Sequence, residues 1–262
     1  MALSLRAGVC SDVGGYRDAN QDAAFAAPWA AAVADGVGGG PAGDLASAAL
    51  VHRLAAGGSR VADARELAAR IRTANWDLGA HVRRDPTLAG MATTLTGLWV
   101  SRTETLLLAH TGDSRGYLLR GGQLTRQTRD DSFVQALVER GLVSAEDALT
   151  HPRRNIITAS LRGDVTDLVR VGERTPQAGD RWLLCSDGVS DYLPDDMIGD
   201  VLREAEGVDQ AARLLVGSAL EAGSRDNVTA VVADVVSTAS PDGWRPVFAG
   251  AAAERFAETL AG

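Results

Sequence analysis

The sequence predicts an α+β domain, with antiparallel sheet and helices packed outside it. Three observations lead there. Strand and helix signals come in blocks, not in the alternation that parallel βαβ units require. Gly121 and Gly122 separate two β-rich runs at hairpin spacing. A β-branched run over residues 228–236 has the character of a buried strand.

The elements follow in order. A small apolar run stops at Asp35 and Gly36, a glycine cluster follows, and an alanine-rich helical pattern begins. Residues 42–56 and 61–84 read as tandem helices; in the second, Leu67, Ile71, Ala74 and Leu78 recur at helical spacing. Residues 94–100 and 105–109 are β-rich, as are 116–120 and 123–127 around the glycine pair. Short helices are expected at 131–140 and 145–150, strands at 168–172 and 182–185, and two more helices at 197–206 and 208–222. No internal repeat or long linker interrupts the chain. Residues 237–262 contain Pro241 and Pro246, then an alanine-rich helical stretch. They read as a C-terminal extension of undefined role, either a docked helix or the start of further chain, outside a single domain at 1–236.

Composition narrows the function. The 262 residues carry a formal charge of −8, which argues against a nucleic-acid partner. All 26 Lys+Arg positions are arginine. The absence of lysine removes P-loop, kinase and Schiff-base chemistry together. Cys10 and Cys185 are too few for a disulfide framework and fit a reducing, cytoplasmic setting. The N-terminal apolar stretch is too short for a signal peptide. The alanine-rich run from 23 to 34 contains Pro28 and is too short to span a bilayer, so no membrane segment is expected.

Gly38, Gly40 and Gly43 satisfy the spacing G-x-G-x-x-G, which raises a dinucleotide-binding alternative. That motif needs a parallel strand ending in an acid about 20 residues on. Asp63 falls at that distance, but at the start of a helical pattern.

The more informative pattern is acids at the edges of apolar runs. Asp35 ends "AAAVADG", Asp187 ends "RWLLCSDG", Asp226 precedes "VTAVVADV", and Asp22 closes "YRDANQD". An acid at a core edge is partly desolvated, and its charge is disfavoured unless a cation compensates. A single Asp-Gly is an ordinary turn. Several at strand ends are brought together by the sheet. The four histidines lie away from these acids in sequence. An all-oxygen donor set selects Mg²⁺ or Mn²⁺ over zinc, and two such ions can activate water and polarise a phosphoryl group.

With these motifs in hand, the chain resembles the metal-dependent protein serine/threonine phosphatases of type 2C, especially compact bacterial members. The matching segments are "GYRDANQD", "VADGVGGGPAG", "MATTLTGLWV", "AHTGDSRGYLLRGGQLTRQTRDDSFVQALVERG", "HPRRNIITASLRG", "GDRWLLCSDGVSD" and "SRDNVTAVVADV". They occur in the family's order. The resemblance implies a four-layer αββα sandwich, two packed antiparallel sheets flanked by helices, with a small flap subdomain at about 132–160.

It also implies roles. Asp35 would bridge two metals, with the Gly36 carbonyl joining the second; Asp187 and Asp226 would hold the first. Asp22 would orient the attacking water. Arg17 would pair with the substrate phosphate, to which its planar fork is suited. Asp130 would help hold a third, weaker metal beside the flap, with Asp191 as a secondary acid there. Thr93, Thr94, Asp113, Ser114 and Arg115 would be structural. The cofactors are then Mn²⁺ or Mg²⁺ at two tight sites and a weaker third. The partners are phosphorylated proteins and a serine/threonine kinase that supplies them. Two positions depart from the pattern. Val37 stands where many relatives have a histidine proposed as general acid, and Gln21 where some have glutamate. A catalytically weak or dead phosphoprotein-binding regulator is the rival of the same fold; its mark would be a lost metal aspartate, and none is lost.

Overall fold

The structure, a computed structural model, describes residues 2–37, 42–238 and 244–255. The chain begins with strand β1 (Ser4–Asp12), then the hairpin β2 (Asp22–Ala27) and β3 (Ala30–Val37). Helices α1 (Gly43–Ala55) and α2 (Ala64–Arg84) follow. Next come β4 (Ala92–Thr93), β5 (Leu95–Val100), β6 (Leu106–Thr111), β7 (Arg115–Arg120) and β8 (Gln123–Arg126). Two short helices follow, α3 (Phe133–Glu139) and α4 (Ala145–Leu149), in the segment expected to form the flap. The chain continues through β9 (Arg170–Arg174), β10 (Arg181–Cys185), α5 (Asp187–Ser190), α6 (Asp195–Glu204), α7 (Val208–Glu221), β11 (Val228–Val236), β12 (Val247–Gly250) and α8 (Ala251–Glu254).

Two sheets result. One has the order β1-β11-β10-β7-β8; the other runs β12-β2-β3-β5-β6-β9, with β4 paired to β3. Every pairing between named strands is antiparallel. Three apolar clusters fill the spaces between four layers. One joins α1 and α2 to the second sheet, one lies between the sheets, and one joins the first sheet to α5, α6 and α7.

The period-two geometry of strands explains why their sequences read as continuous apolar runs. In β10, Trp182 and Leu184 enter the core between the sheets, while Leu183 and Cys185 face the helices. In β6, Leu106 and Leu108 face between the sheets, and Leu107 and Ala109 face α1 and α2. The alanines of β2 and β3 are small enough to bring α1 close to the sheet. Ala23, Ala27, Ala30, Ala32 and Ala34 share one cluster with Ala46 and Ala48 of α1.

Helix starts follow their capping residues. Asp63 accepts from the Glu66 amide at 2.8 Å, and Glu66 accepts from the Ala62 amide at 2.7 Å. Asp63 is therefore a helix cap, not the strand-end acid of a dinucleotide site; Gly38 and Gly40 lie outside the described residues. Ser132 caps α3, accepting from the Gln135 amide at 3.2 Å. The segment after 237 differs from the helical expectation. Before the short α8 it contributes a strand, β12, to the edge of β2.

Candidate active site

The antiparallel register of β2 and β3 sets Asp22 directly opposite Asp35. Cross-links then draw in the other two acids. The Gln21 amide donates to Asn227 Oδ1 at 2.8 Å, and Asn227 Nδ2 donates to the carbonyls of Val13 (2.9 Å) and Ala19 (3.1 Å). That fixes the Asp226 loop beside the start of β2. The Ser186 hydroxyl donates to Asp22 Oδ2 at 2.7 Å and accepts from the Thr229 amide at 3.1 Å. That fixes the end of β10, and with it Asp187. The two loops approach so closely that any side chain at Gly188 would run into the Asn227 carbonyl. Beneath Asp35, its amide donates to Thr94 Oγ1 at 2.9 Å and its carbonyl accepts from Thr93 Oγ1 at 3.0 Å. Thr94 also shares a hydrogen bond with Ser114 at 2.8 Å, so these hydroxyls tie strands together as expected.

The result is a cluster of like charges. Asp22 is 1% exposed, and its carboxyl is pushed up to about 6 by burial, against hydrogen bonds from Ser186 and Thr229. Burial pushes Asp35 well above the usual carboxylate range, and the charges of Asp22, Asp187, Asp113 and Asp226 push the same way. Asp187 is raised likewise, by burial and then by Asp113, Asp191, Asp226 and Asp22. The main cation facing the group is Arg17, whose Nη2 lies 2.6 Å from Asp226 Oδ2. Asp187 Oδ1 is buried with no hydrogen-bond partner. Among the described residues, no three acid, histidine or cysteine side chains converge into a closed metal cage. The donors are nevertheless hard oxygens on rigid strand ends, with one oxygen unclaimed, which fits Mn²⁺ or Mg²⁺. Gly36 belongs to the same cradle: its amide donates to the Gln21 carbonyl at 3.1 Å, and a side chain there would collide with the Gly43 carbonyl.

The flap side is arranged differently from its two neighbouring acids' spacing in sequence. Asp130 accepts from Arg115 at 3.0 Å and from Arg126, so both its oxygens are engaged by arginine. Asp131 turns away, accepting from the Gly112 amide at 3.1 Å and from Arg170 at 2.7 Å. Asp191 lies one turn after Asp187, with Arg115 and Arg154 each 3.8 Å from it. Burial raises its carboxyl, and those two arginines oppose the rise. Asp113 was expected to be structural, but its Oδ1 is buried and unpartnered. Burial and the charges of Asp130 and Asp191 push it up to about 7. Sequence reasoning also missed Ser186, Asn227 and Thr229, each next to or near a candidate acid; "CSDG" and "RDNVT" carried that signal.

A family model described as protein phosphatase 2C matches residues 17–222. The chain belongs to the protein phosphatase 2C family. It is 43% identical over 242 residues to the serine/threonine protein phosphatase PstP of Mycobacterium tuberculosis, covering 90% of this chain and 46% of that protein. The chain thus spans about half the length of this relative. It is 32% identical to the serine/threonine phosphatase Stp of Listeria welshimeri, covering 77% of this chain and 82% of that one. A solved structure of the PstP catalytic domain in complex with two manganese ions superposes with a TM-score of 0.83 at 41% identity, covering 90% of this chain and all of that one. The two antiparallel sheets flanked by helices are the architecture of these protein phosphatase 2C structures. Among the described residues, no helix of this family member is long and apolar enough to cross a membrane.

Proposed function

We propose that this chain hydrolyses phosphoserine and phosphothreonine on proteins, using divalent manganese or magnesium. The observation that carries the reading is the unpartnered, buried oxygen of Asp187 among Asp22, Asp35 and Asp226, a charge cluster that one exposed arginine does not neutralise. Family membership and the manganese-bound PstP structure support it.

In this reading Asp35, the Gly36 carbonyl, Asp187 and Asp226 are the groups that would hold the ions. When bound, the pair supplies Lewis-acid polarisation of the phosphoryl group and lowers the pKa of a water. Asp22, held by the Ser186 hydroxyl, would orient a water for attack on phosphorus. Arg17 exchanges its partner Asp226 for the substrate phosphate, presenting a planar fork to two oxygens. The P–O bond to the serine or threonine breaks, and the leaving hydroxyl takes a proton from solvent, since Val37 offers none. A third, weaker ion belongs on the flap side. Asp130 and Asp191 frame that position, and Asp113 offers the oxygen that arginines leave unclaimed. The substrates are phosphoproteins made by a serine/threonine kinase, and the two free cysteines fit a cytoplasmic setting.

Hydrolysis of an aryl phosphate and of a phosphothreonine peptide, with Mn²⁺ and with excess chelator, tests the proposal. Turnover that survives chelation refutes the metal mechanism. Tight phosphopeptide binding with no turnover at any metal concentration favours the non-catalytic regulator instead.

A further inference from the structure

The family model ends at residue 222, before β12 begins. Yet β12 and α8 reach the proposed metal centre from its outer edge. β12 pairs with β2 in the register Val247 to Ala26, Phe248 to Phe25, Ala249 to Ala24 and Gly250 to Ala23. The pairing therefore stops one residue short of Asp22. At that point Gly250 takes φ 62° and ψ −147°, and it packs against the Asp22 carbonyl and Ser11 Oγ with no room for a side chain. Ser11 belongs to the polar lattice under the centre: it shares a hydrogen bond with Thr229 at 2.7 Å and accepts from Asn20 at 2.9 Å.

The segment is fastened at its other face to α1. The Phe248 ring stacks on His52 at 4.1 Å, and His52 Nε2 lies 2.7 Å from the Ala252 carbonyl. Arg255 donates to Asp44 in the first turn of α1 at 2.5 Å. Ala251 and Ala252 are buried in the cluster beneath. One short segment thus grips the start of β2, which carries Asp22, and α1 near both of its ends, at Asp44 and at His52.

We infer that residues 247–255 act as a strap that holds the Asp22 end of β2 in its working position, with Phe248, Gly250 and Arg255 as positioning residues. An edge strand paired along four residues suppresses opening of its neighbour, and turnover is sensitive to small displacements of groups near the reacting atoms. The strap acts on the orientation of the water by Asp22, so loosening it lowers kcat and leaves KM unchanged. This inference rests on the phosphatase reading for its kinetic arm alone.

The test uses the full chain with Gly250→Ala, Phe248→Ala, Phe248→Leu and Arg255→Ala. Hydrogen exchange is followed in metal-free protein for residues 22–27 and, as a control at the opposite sheet edge, 170–174. In Gly250→Ala and Phe248→Ala, exchange at 22–27 rises about 10-fold with the control unchanged, and kcat for an aryl phosphate with Mn²⁺ falls about 10-fold at constant KM. Phe248→Leu keeps the pairing and restores most of kcat. Arg255→Ala, an exposed change that does not threaten folding, gives a smaller shift in the same direction in both measurements. Unchanged exchange at 22–27 overturns the strap. So does exchange rising equally at both edges, or a loss expressed in KM. If Gly250→Ala does not fold, Phe248→Ala and Arg255→Ala decide the matter. Wild-type protein inert with Mn²⁺ refutes the phosphatase reading, while the exchange result still judges the strap.

Discussion

Replacing Asp22 with asparagine should stabilise the metal-free protein at neutral pH while impairing its turnover. Asp22 is buried opposite Asp35, and its carboxyl is pushed from an ordinary 3.8 to about 6, chiefly by burial. Between those two values the folded chain keeps a proton that the unfolded chain has released. The folded state then binds more protons, so stability falls as pH rises through this window. At about 1.4 kcal/mol per pKa unit, the full cost above pH 6 is about 3 kcal/mol. Near pH 4 the folded state is protonated and the unfolded state is about half so, and the cost shrinks to about 0.5 kcal/mol. Asparagine carries no charge, and its Oδ1 can still accept from the Ser186 hydroxyl. For a chain of this size, about 3 kcal/mol corresponds to roughly 6–12 °C in Tm. The assay is thermal unfolding of wild type and Asp22→Asn in chelator at pH 4 and pH 7.5. The difference between the proteins cancels the titration of groups away from the cluster, while Asp35 and Asp187, relieved of the Asp22 charge, add to the variant's advantage at neutral pH. The reasoning fails if the variant is no more stable at pH 7.5, or if its advantage is the same at both pH values.

Three further outcomes follow from the same geometry. Asp187→Asn should lower kcat by at least about 100-fold, as expected on losing a main electrostatic contributor, with retained folding checked by circular dichroism. Arg17→Ala should reduce kcat/KM and weaken inhibition by free phosphate. It should also tighten Mn²⁺ binding by up to about 5-fold, because the half-exposed Arg17–Asp226 pair is worth about 1 kcal/mol at most; calorimetric titration reads this, and unchanged affinity would show that Arg17 does not compete for Asp226. Leu184→Ala, at a fully buried position between the sheets, should cost about 2–5 kcal/mol in urea unfolding without changing KM.

Much of the fold was legible where local signals and tertiary demands agree. The helix at 61–84 carries its own cap and a regular apolar stripe, and α2 occupies nearly that range. The Gly121 and Gly122 turn gave the β7–β8 hairpin. The run that stops at Asp35 reads as a strand end, and β3 is that strand; β2 does not stand out as a separate strand, because alanine favours helix locally. Only the packing of α1 on the sheet makes a small side chain the right choice there. β1 does not stand out because its inner residues, Leu5, Ala7 and Val9, alternate with Arg6, Gly8 and Cys10, of which only the first is polar. For the site, the acids were visible because each interrupts an apolar run. Asp113 was not, since "TGDSRG" reads as a turn and its unpartnered oxygen is a property of the folded cavity. The Arg17–Asp226 pair spans 209 residues and leaves no local trace.

The location of the acids also has an energetic logic. Asp22, Asp35 and Asp187, pushed up by burial with the charge of Asp226 beside them, would separate from one another if they stood on mobile loops. Here each is tied to a sheet. Asp35 is held by Thr93 and Thr94, Asp22 by Ser186, Asp226 through Asn227, and Asp187 by the close approach at Gly188. The two sheets pack an apolar core that includes Trp182, Leu98 and Val231. The burial that stabilises the sandwich is what forces the charges to stay together. In the metal reading proposed above, such a centre would cost stability when bare and recover it when a dication enters, because the same repulsion becomes attraction to one ion. Strain of this kind persists only where the surrounding structure over-determines it, and the hydroxyl and amide ties around these four aspartates are that surrounding structure.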